Sequence, residues 1–82
     1  MTIAGSDSGG CAGIQADLKT FAALGVFGTA VITCVTAQNR AGVRGIHATA
    51  PRMVAREAET VAAYFRLAAA KTGMLYSAAM IE

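Results

Sequence analysis

The sequence holds one histidine, two cysteines, one proline and no tryptophan in 82 residues. One His and two Cys cannot supply the four ligands of a structural zinc site. Cys11 and Cys34 allow a single pairing, and Cys34 stands in a β-branched run where a thiol serves as a small apolar side chain. Both are expected to be reduced. The seven Lys and Arg are scattered singly, unlike the clustered stripe with interleaved aromatics of a nucleic-acid surface. The longest apolar runs, such as Ala30 to Val35, fall far short of the ~20 residues that span a bilayer, and no charged segment precedes a signal-like core. These absences lead us to expect a soluble chain in the cytoplasm.

What is present is apolar: 55% hydrophobic and 15% charged residues with a net charge of +2, which excludes a disordered tail. A domain this short removes only roughly 60% of its unfolded-chain surface from water. So apolar a composition is therefore expected to share its core with further polypeptide, as a segment of a larger domain would.

Met1 to Ala4 is a short apolar run that stops at Gly5-Ser6-Asp7-Ser8-Gly9-Gly10, a turn-rich segment that ends a strand. From Ala12 to Leu24, Ile14, Leu18, Phe21 and Ala22 recur at helical spacing, and Gly25 stands where a left-handed C-terminal cap is expected. Val26 to Ala37 carries Val31 to Thr36 without polar alternation, as in a parallel strand covered on both faces. Gln38 to Gly42 reads as a loop, and Val43 to Thr49 as a weaker, edge-like extended stretch. Pro51 opens a second helix with Val54, Ala58, Val61, Ala62 and Phe65 inward and Arg52, Arg56, Glu57 and Glu59 outward. Ala68 to Thr72 is a strand candidate, and Ser77 is placed to cap a further helix. The alternation predicts an α/β fold with a mainly parallel sheet, of which three strands are present.

In open α/β sheets ligands bind beyond the carboxyl ends of the strands. Those ends are Gly5-Ser6-Asp7, Thr36-Ala37-Gln38-Asn39 and Thr72-Gly73-Met74. Each alone reads as a turn, but the three on one rim predict a pocket. Asp17 projects near the apolar face of the first helix, and a carboxylate there needs either a cationic or solvent partner or a ligand that donates hydrogen bonds to it. Gly5, Gly9, Gly10 and Gly13 bracket a strand-to-helix turn whose amides can cradle an anion. Cys11 and Ala12 stand where a P-loop needs Lys and Ser or Thr, and the spacing misses the dinucleotide fingerprint. His47 has no relay partner and is given no role. Lys71 suits either a phosphate contact or an ion pair.

The blocks Thr2-Ile3-Ala4-Gly5-Ser6-Asp7, Ala12-Gly13-Ile14-Gln15-Ala16-Asp17-Leu18-Lys19-Thr20, Val31-Ile32-Thr33, Thr36-Ala37-Gln38-Asn39 and Lys71-Thr72-Gly73-Met74-Leu75 together resemble the hydroxymethylpyrimidine/phosphomethylpyrimidine kinases of thiamine biosynthesis. The match runs through nearly the whole chain in order, loosely only from Val43 to Ala70. The resemblance implies a partial ribokinase-like three-layer α/β sandwich, with residues 1–82 as the N-terminal segment of a single kinase domain. It also implies ATP-dependent phosphorylation of an aminopyrimidine and then of its monophosphate. By the same resemblance Gly5, Asp17, Thr36 (through its main chain), Gln38 and Met74 bind the pyrimidine. Gln38 and Asp17 would bond its polar groups, Met74 would pack on the ring and Gly5 would let the backbone approach. The family's ATP and Mg2+ contacts, anion-hole turn and catalytic base or thiol lie in its C-terminal half, so no catalytic residue or metal ligand is assigned here. Family kinship implies a homodimer. By the same resemblance Cys11 stands where the family usually has a small Gly, a change that either crowds the pocket mouth or is tolerated where the backbone is at negative φ. Two alternatives stand beside this reading: a pyridoxal kinase relative, and a non-catalytic fragment or binding module of the same fold.

Overall fold

The computed structural model describes residues 1–76. Strand β1 (Thr2–Asp7) leads into helix α1 (Gly13–Ala23), strand β2 (Ala30–Asn39), strand β3 (Gly42–Ala48), helix α2 (Pro51–Tyr64) and the two-residue strand β4 (Lys71–Thr72). These form one sheet of order β3-β2-β1-β4. The β1–β2 and β1–β4 pairs are parallel and β2–β3 is antiparallel. The expected mainly parallel α/β fold is present, with a fourth strand added at the edge.

That fourth strand corrects the loop expected at Gln38 to Gly42. Strand β2 continues to Asn39, and the Asn39 side chain accepts the Ala41 N–H at 2.8 Å, closing a tight turn into β3. Strand β1 likewise runs on to Asp7 instead of stopping at Gly5. Its register on β2 shifts between Ala4 and Ser6, and a Cβ at Gly5 would lie 2.8 Å from Cys34 Sγ. The glycine thus lets the strand pass over the cysteine beneath it. Of Ala68 to Thr72 only Lys71–Thr72 is strand, paired with Thr2 and Ile3. The cap expected at Ser77 lies outside the described residues.

Helix α1 ends as its sequence predicts. Gly25 adopts φ +74 and donates to Ala22 O, while Val26 donates to Phe21 O at 2.8 Å, the paired closure of a left-handed cap. Helix α2 begins on Pro51, whose missing N–H is no loss in the first turn. Of the residues expected inward in α2, Ala62 and Phe65 are exposed, Phe65 standing just past the helix end, while Glu57, expected outward, faces inward and its Oε1 accepts the Ile32 N–H at 3.3 Å. The cause is topological. Strand β3 pairs with β2 only from Cys34 onward, and the Glu57 carboxylate supplies an acceptor to the uncovered stretch.

The core is small and half polar. Ala4, Ile14, Val31 and Cys34 are buried with Thr2, Thr33, Thr36 and Asp7. The three threonines of this core are paired, Thr2 donating to Asp17, Thr33 to the Met74 carbonyl and Thr36 to the Ser6 carbonyl, whereas the buried Thr29 hydroxyl has no protein partner among the described residues. Cys34 is fully buried and Cys11 exposed, and neither is in a disulfide.

Candidate functional site

The parallel strands point their carboxyl ends at a cavity of about 290 Å3. Gly5, Thr36, Gln38 and Met74 all line it, from three different strand ends. Residues separated by more than 30 positions in the chain thus converge on one rim.

The wall nearest β1 is built around Asp7, which is 4% exposed. Its carboxylate accepts the N–H groups of Gly9 at 2.7 Å, Cys11 at 3.0 Å and Ala12 at 2.8 Å. Helix α1 has no side-chain cap at Ala12, so Asp7 supplies from the preceding strand the acceptor that its amino end needs. The anion cradle expected of this glycine-rich turn is therefore real, and the protein's own carboxylate fills it. Gly13 follows at φ +60, and a Cβ there would collide with the Gly5 carbonyl oxygen, so only glycine closes this turn. Cys11 is not among the residues of positive φ and lies outside the cavity lining, so its side chain is accommodated at the surface.

Gln15 ties the first turn of α1 to the strand. Its Oε1 accepts the Asp7 N–H at 2.8 Å and its Nε2 donates to Ser6 Oγ at 2.7 Å. Across the cavity mouth, Ser8 holds the Gln38 backbone at both of its polar atoms. The Ser8 hydroxyl donates to Gln38 O at 2.8 Å and accepts the Gln38 N–H at 2.6 Å. Thr36 Oγ1 lies 2.9 Å from Ser6 O and 3.0 Å from Gln38 Oε1. On the third side, Gly73 donates to Ile3 O at 2.9 Å and Met74 is held through its carbonyl by Thr33 at 2.6 Å, leaving its side chain half exposed.

Asp17 is placed differently from the other four. It does not line the cavity. Its carboxylate accepts from Thr2 Oγ1 at 2.6 Å and from Lys71 Nζ at 2.9 and 3.0 Å. The Thr2 hydrogen bond, followed by that of Lys71, holds its pKa below the usual aspartate value. The cationic partner expected for an inward carboxylate is Lys71, which itself lines the cavity. Asp17 therefore stands behind the site and orients the lysine at its edge.

Sequence reading assigned no role to Asp7, Ser8 or Gln15. Asp7 lies too far ahead of Gly13 to register as a helix cap, and the Ser8–Gln38 pair spans 30 residues with no local signal. A larger cleft of about 360 Å3 opens at the opposite end of the sheet, lined by Met1, Phe21, Phe27 and Phe65 among others. Thr29, Arg66 and Lys71 also line it, but none of the hydrogen-bonded groups at the carboxyl strand ends of the smaller cavity does.

A mainly parallel α/β sheet with a small cavity at its carboxyl edge is the architecture of the ribokinase-like class. Residues 7–82 match the family described as phosphomethylpyrimidine kinase, and the chain belongs to that family. It is 56% identical over all 82 residues to a hydroxymethylpyrimidine/phosphomethylpyrimidine kinase of Bacillus subtilis, covering 30% of that protein. It superposes on the crystal structure of phosphomethylpyrimidine kinase from Clostridium difficile with a TM-score of 0.94 and 48% identity, covering 98% of this chain and 35% of that one. It also resembles the pyridoxal kinase of Staphylococcus aureus, solved with AMP-PCP and pyridoxal, at a TM-score of 0.86 and 33% identity over 98% of this chain and 30% of that one. The chain thus spans about 30% of the length of the curated relative.

A kinase family implies a nucleotide, and the residues described here do not fit one. The amides at the head of α1 are taken by Asp7. No group of three or more His, Cys, Asp or Glu able to hold a metal ion exists among the described residues.

Proposed function

We propose that this chain supplies the pyrimidine half-site of an ATP-dependent kinase acting on 4-amino-5-hydroxymethyl-2-methylpyrimidine and its monophosphate in thiamine biosynthesis. In this reading residues 1–82 are the N-terminal segment of one ribokinase-like domain. The observation that carries it is the convergence of Gly5, Thr36, Gln38 and Met74 on one cavity of about 290 Å3. That volume suits a single substituted ring, at the lower limit of the ~300–1,000 Å3 of ligand pockets. The Gln38 amide offers hydrogen bonds to the ring's polar edge, and the Met74 thioether packs against its face. Asp17 contributes by holding Lys71 at the rim. The site binds and orients a hydroxymethyl group, which supplies proximity for phosphoryl transfer and no base.

ATP and Mg2+ enter this activity through residues other than those described, so the chain by itself binds the pyrimidine without turning it over. Family kinship supports a homodimer. The two free cysteines support a reducing cytoplasmic setting, and no helix among the described residues is long and apolar enough to cross a membrane. The likeness to a pyridoxal kinase supports a second reading, in which the cavity takes a pyridine aldehyde. The test is incubation of the purified chain with ATP, Mg2+ and either ring, with products read by mass spectrometry and solution size recorded alongside. Binding of the aminopyrimidine over pyridoxal without product is the expected result. Phosphorylated product would overturn the half-site reading, and preference for pyridoxal would replace the substrate.

A further inference from the structure

The polar atoms around Gln38 do not balance in the orientation its amide shows. Thr36 Oγ1 is within hydrogen-bond distance of two acceptors, Ser6 O at 2.9 Å and Gln38 Oε1 at 3.0 Å, and a hydroxyl has one proton. Thr36 is 7% exposed, so its hydroxyl has little water to turn to and is best served when it both donates and accepts within the protein. The Gln38 backbone cannot rearrange to relieve this, because Ser8 holds both its N–H and its carbonyl. The side-chain amide can, by a half-turn about its last torsion. With Nε2 against Thr36 Oγ1, the hydroxyl donates to Ser6 O and accepts from Gln38, and all three groups are served.

Resting on the pyrimidine reading of the cavity, we propose that Thr36 is a specificity-determining positioning residue. Its hydroxyl fixes the Gln38 amide with the nitrogen toward Thr36, leaving the carbonyl oxygen as the acceptor available to the cavity. A ring bearing an exocyclic amino group then finds its acceptor in place. A ring with a carbonyl oxygen at the same position meets oxygen against oxygen, and only reversal of the amide at the expense of the Thr36 bond relieves it.

The experiment compares the wild-type chain with Thr36→Val, which keeps the shape and removes the hydroxyl, and Thr36→Ser, which keeps the hydroxyl. Calorimetry measures binding of 4-amino-5-hydroxymethyl-2-methylpyrimidine and of its 4-oxo counterpart. The wild type and Thr36→Ser are expected to prefer the amino ring by about tenfold or more, the effect of one mispaired buried group. In Thr36→Val the preference should shrink to within about threefold, since the freed amide can serve either ring. An unchanged ratio in Thr36→Val, or a collapse in Thr36→Ser, overturns the proposal while leaving the pyrimidine site standing. A folded wild type that binds neither ring overturns the site reading instead. The amide orientation is then decided without ligand, by nuclear Overhauser contacts of the Gln38 Nε2 protons with Thr36. Their presence in the wild type is expected, and their absence refutes the arrangement.

Discussion

The two ends of the sheet carry openings of similar size, both walled mainly by apolar atoms, that differ in how their polar groups are held. At the amino end, Phe27 is 79% exposed and stacks on Phe65 with ring centroids 5.8 Å apart, in a cleft whose walls are mostly apolar. At the carboxyl end, Asp7, Ser8, Gln15, Thr36 and Gln38 are joined by hydrogen bonds of 2.6 to 3.0 Å. Apolar walls attract a ring but do not orient it, whereas a fixed set of donors and acceptors does. The contrast teaches that volume alone is a poor guide to the site. What distinguishes the carboxyl end is that its polar atoms are already held in place before any ligand arrives.

That contrast can be broken at its strongest point by Asp7→Ala. Three amides at the head of α1 would lose a charged acceptor, and we expect about 3 kcal/mol of destabilisation in urea unfolding together with loss of pyrimidine binding. Gly13→Ala forces a side chain into φ +60 and against the Gly5 carbonyl. A cost of about 2 kcal/mol by the same measurement is expected. Gln38→Leu should leave the unfolding midpoint nearly unchanged and weaken aminopyrimidine binding by about tenfold, in proportion to one to two lost hydrogen bonds.

A smaller effect concerns pH. The Asp17 pKa is lowered in the folded chain, first by Thr2 and then by Lys71. Its ion pair therefore adds stability above the unfolded value of about 3.9, and that stability is lost as pH falls through the folded value. With Lys71 half exposed, the contribution is expected to be about 1 kcal/mol or less. Asp17→Asn should flatten the part of the stability curve below about pH 4. Smallest of all, Phe27→Ala at the amino end should cost under about 1 kcal/mol, as for an exposed side chain, and leave pyrimidine affinity unchanged.

Much of this difference was legible in the sequence. Apolar spacing located α1 and α2, Gly25 marked a cap, and the rule of strand carboxyl ends placed Gly5, Gln38 and Met74 on one rim before any coordinates. The parts that were not legible depend on contacts between distant residues. Glu57 turns inward because β3 leaves a stretch of β2 unpaired, and nothing within the helix reports that. Asp17 lies behind the cavity because Thr2 and Lys71 claim it, from 15 positions before it and 54 after. Strand β3 was legible only as a weak, edge-like stretch from Val43, because Arg44, Gly45 and His47 break the apolar pattern of an edge exposed throughout.

The most direct test of the carboxyl-end site is a titration of the isotopically labelled chain with 4-amino-5-hydroxymethyl-2-methylpyrimidine, followed by amide chemical shifts. The account predicts saturable shifts at Gly5, Thr36, Gln38, Gly73 and Met74, with Phe27, Phe65 and Arg66 unmoved. Shifts confined to the amino-end cleft, or none in a folded chain, would contradict it.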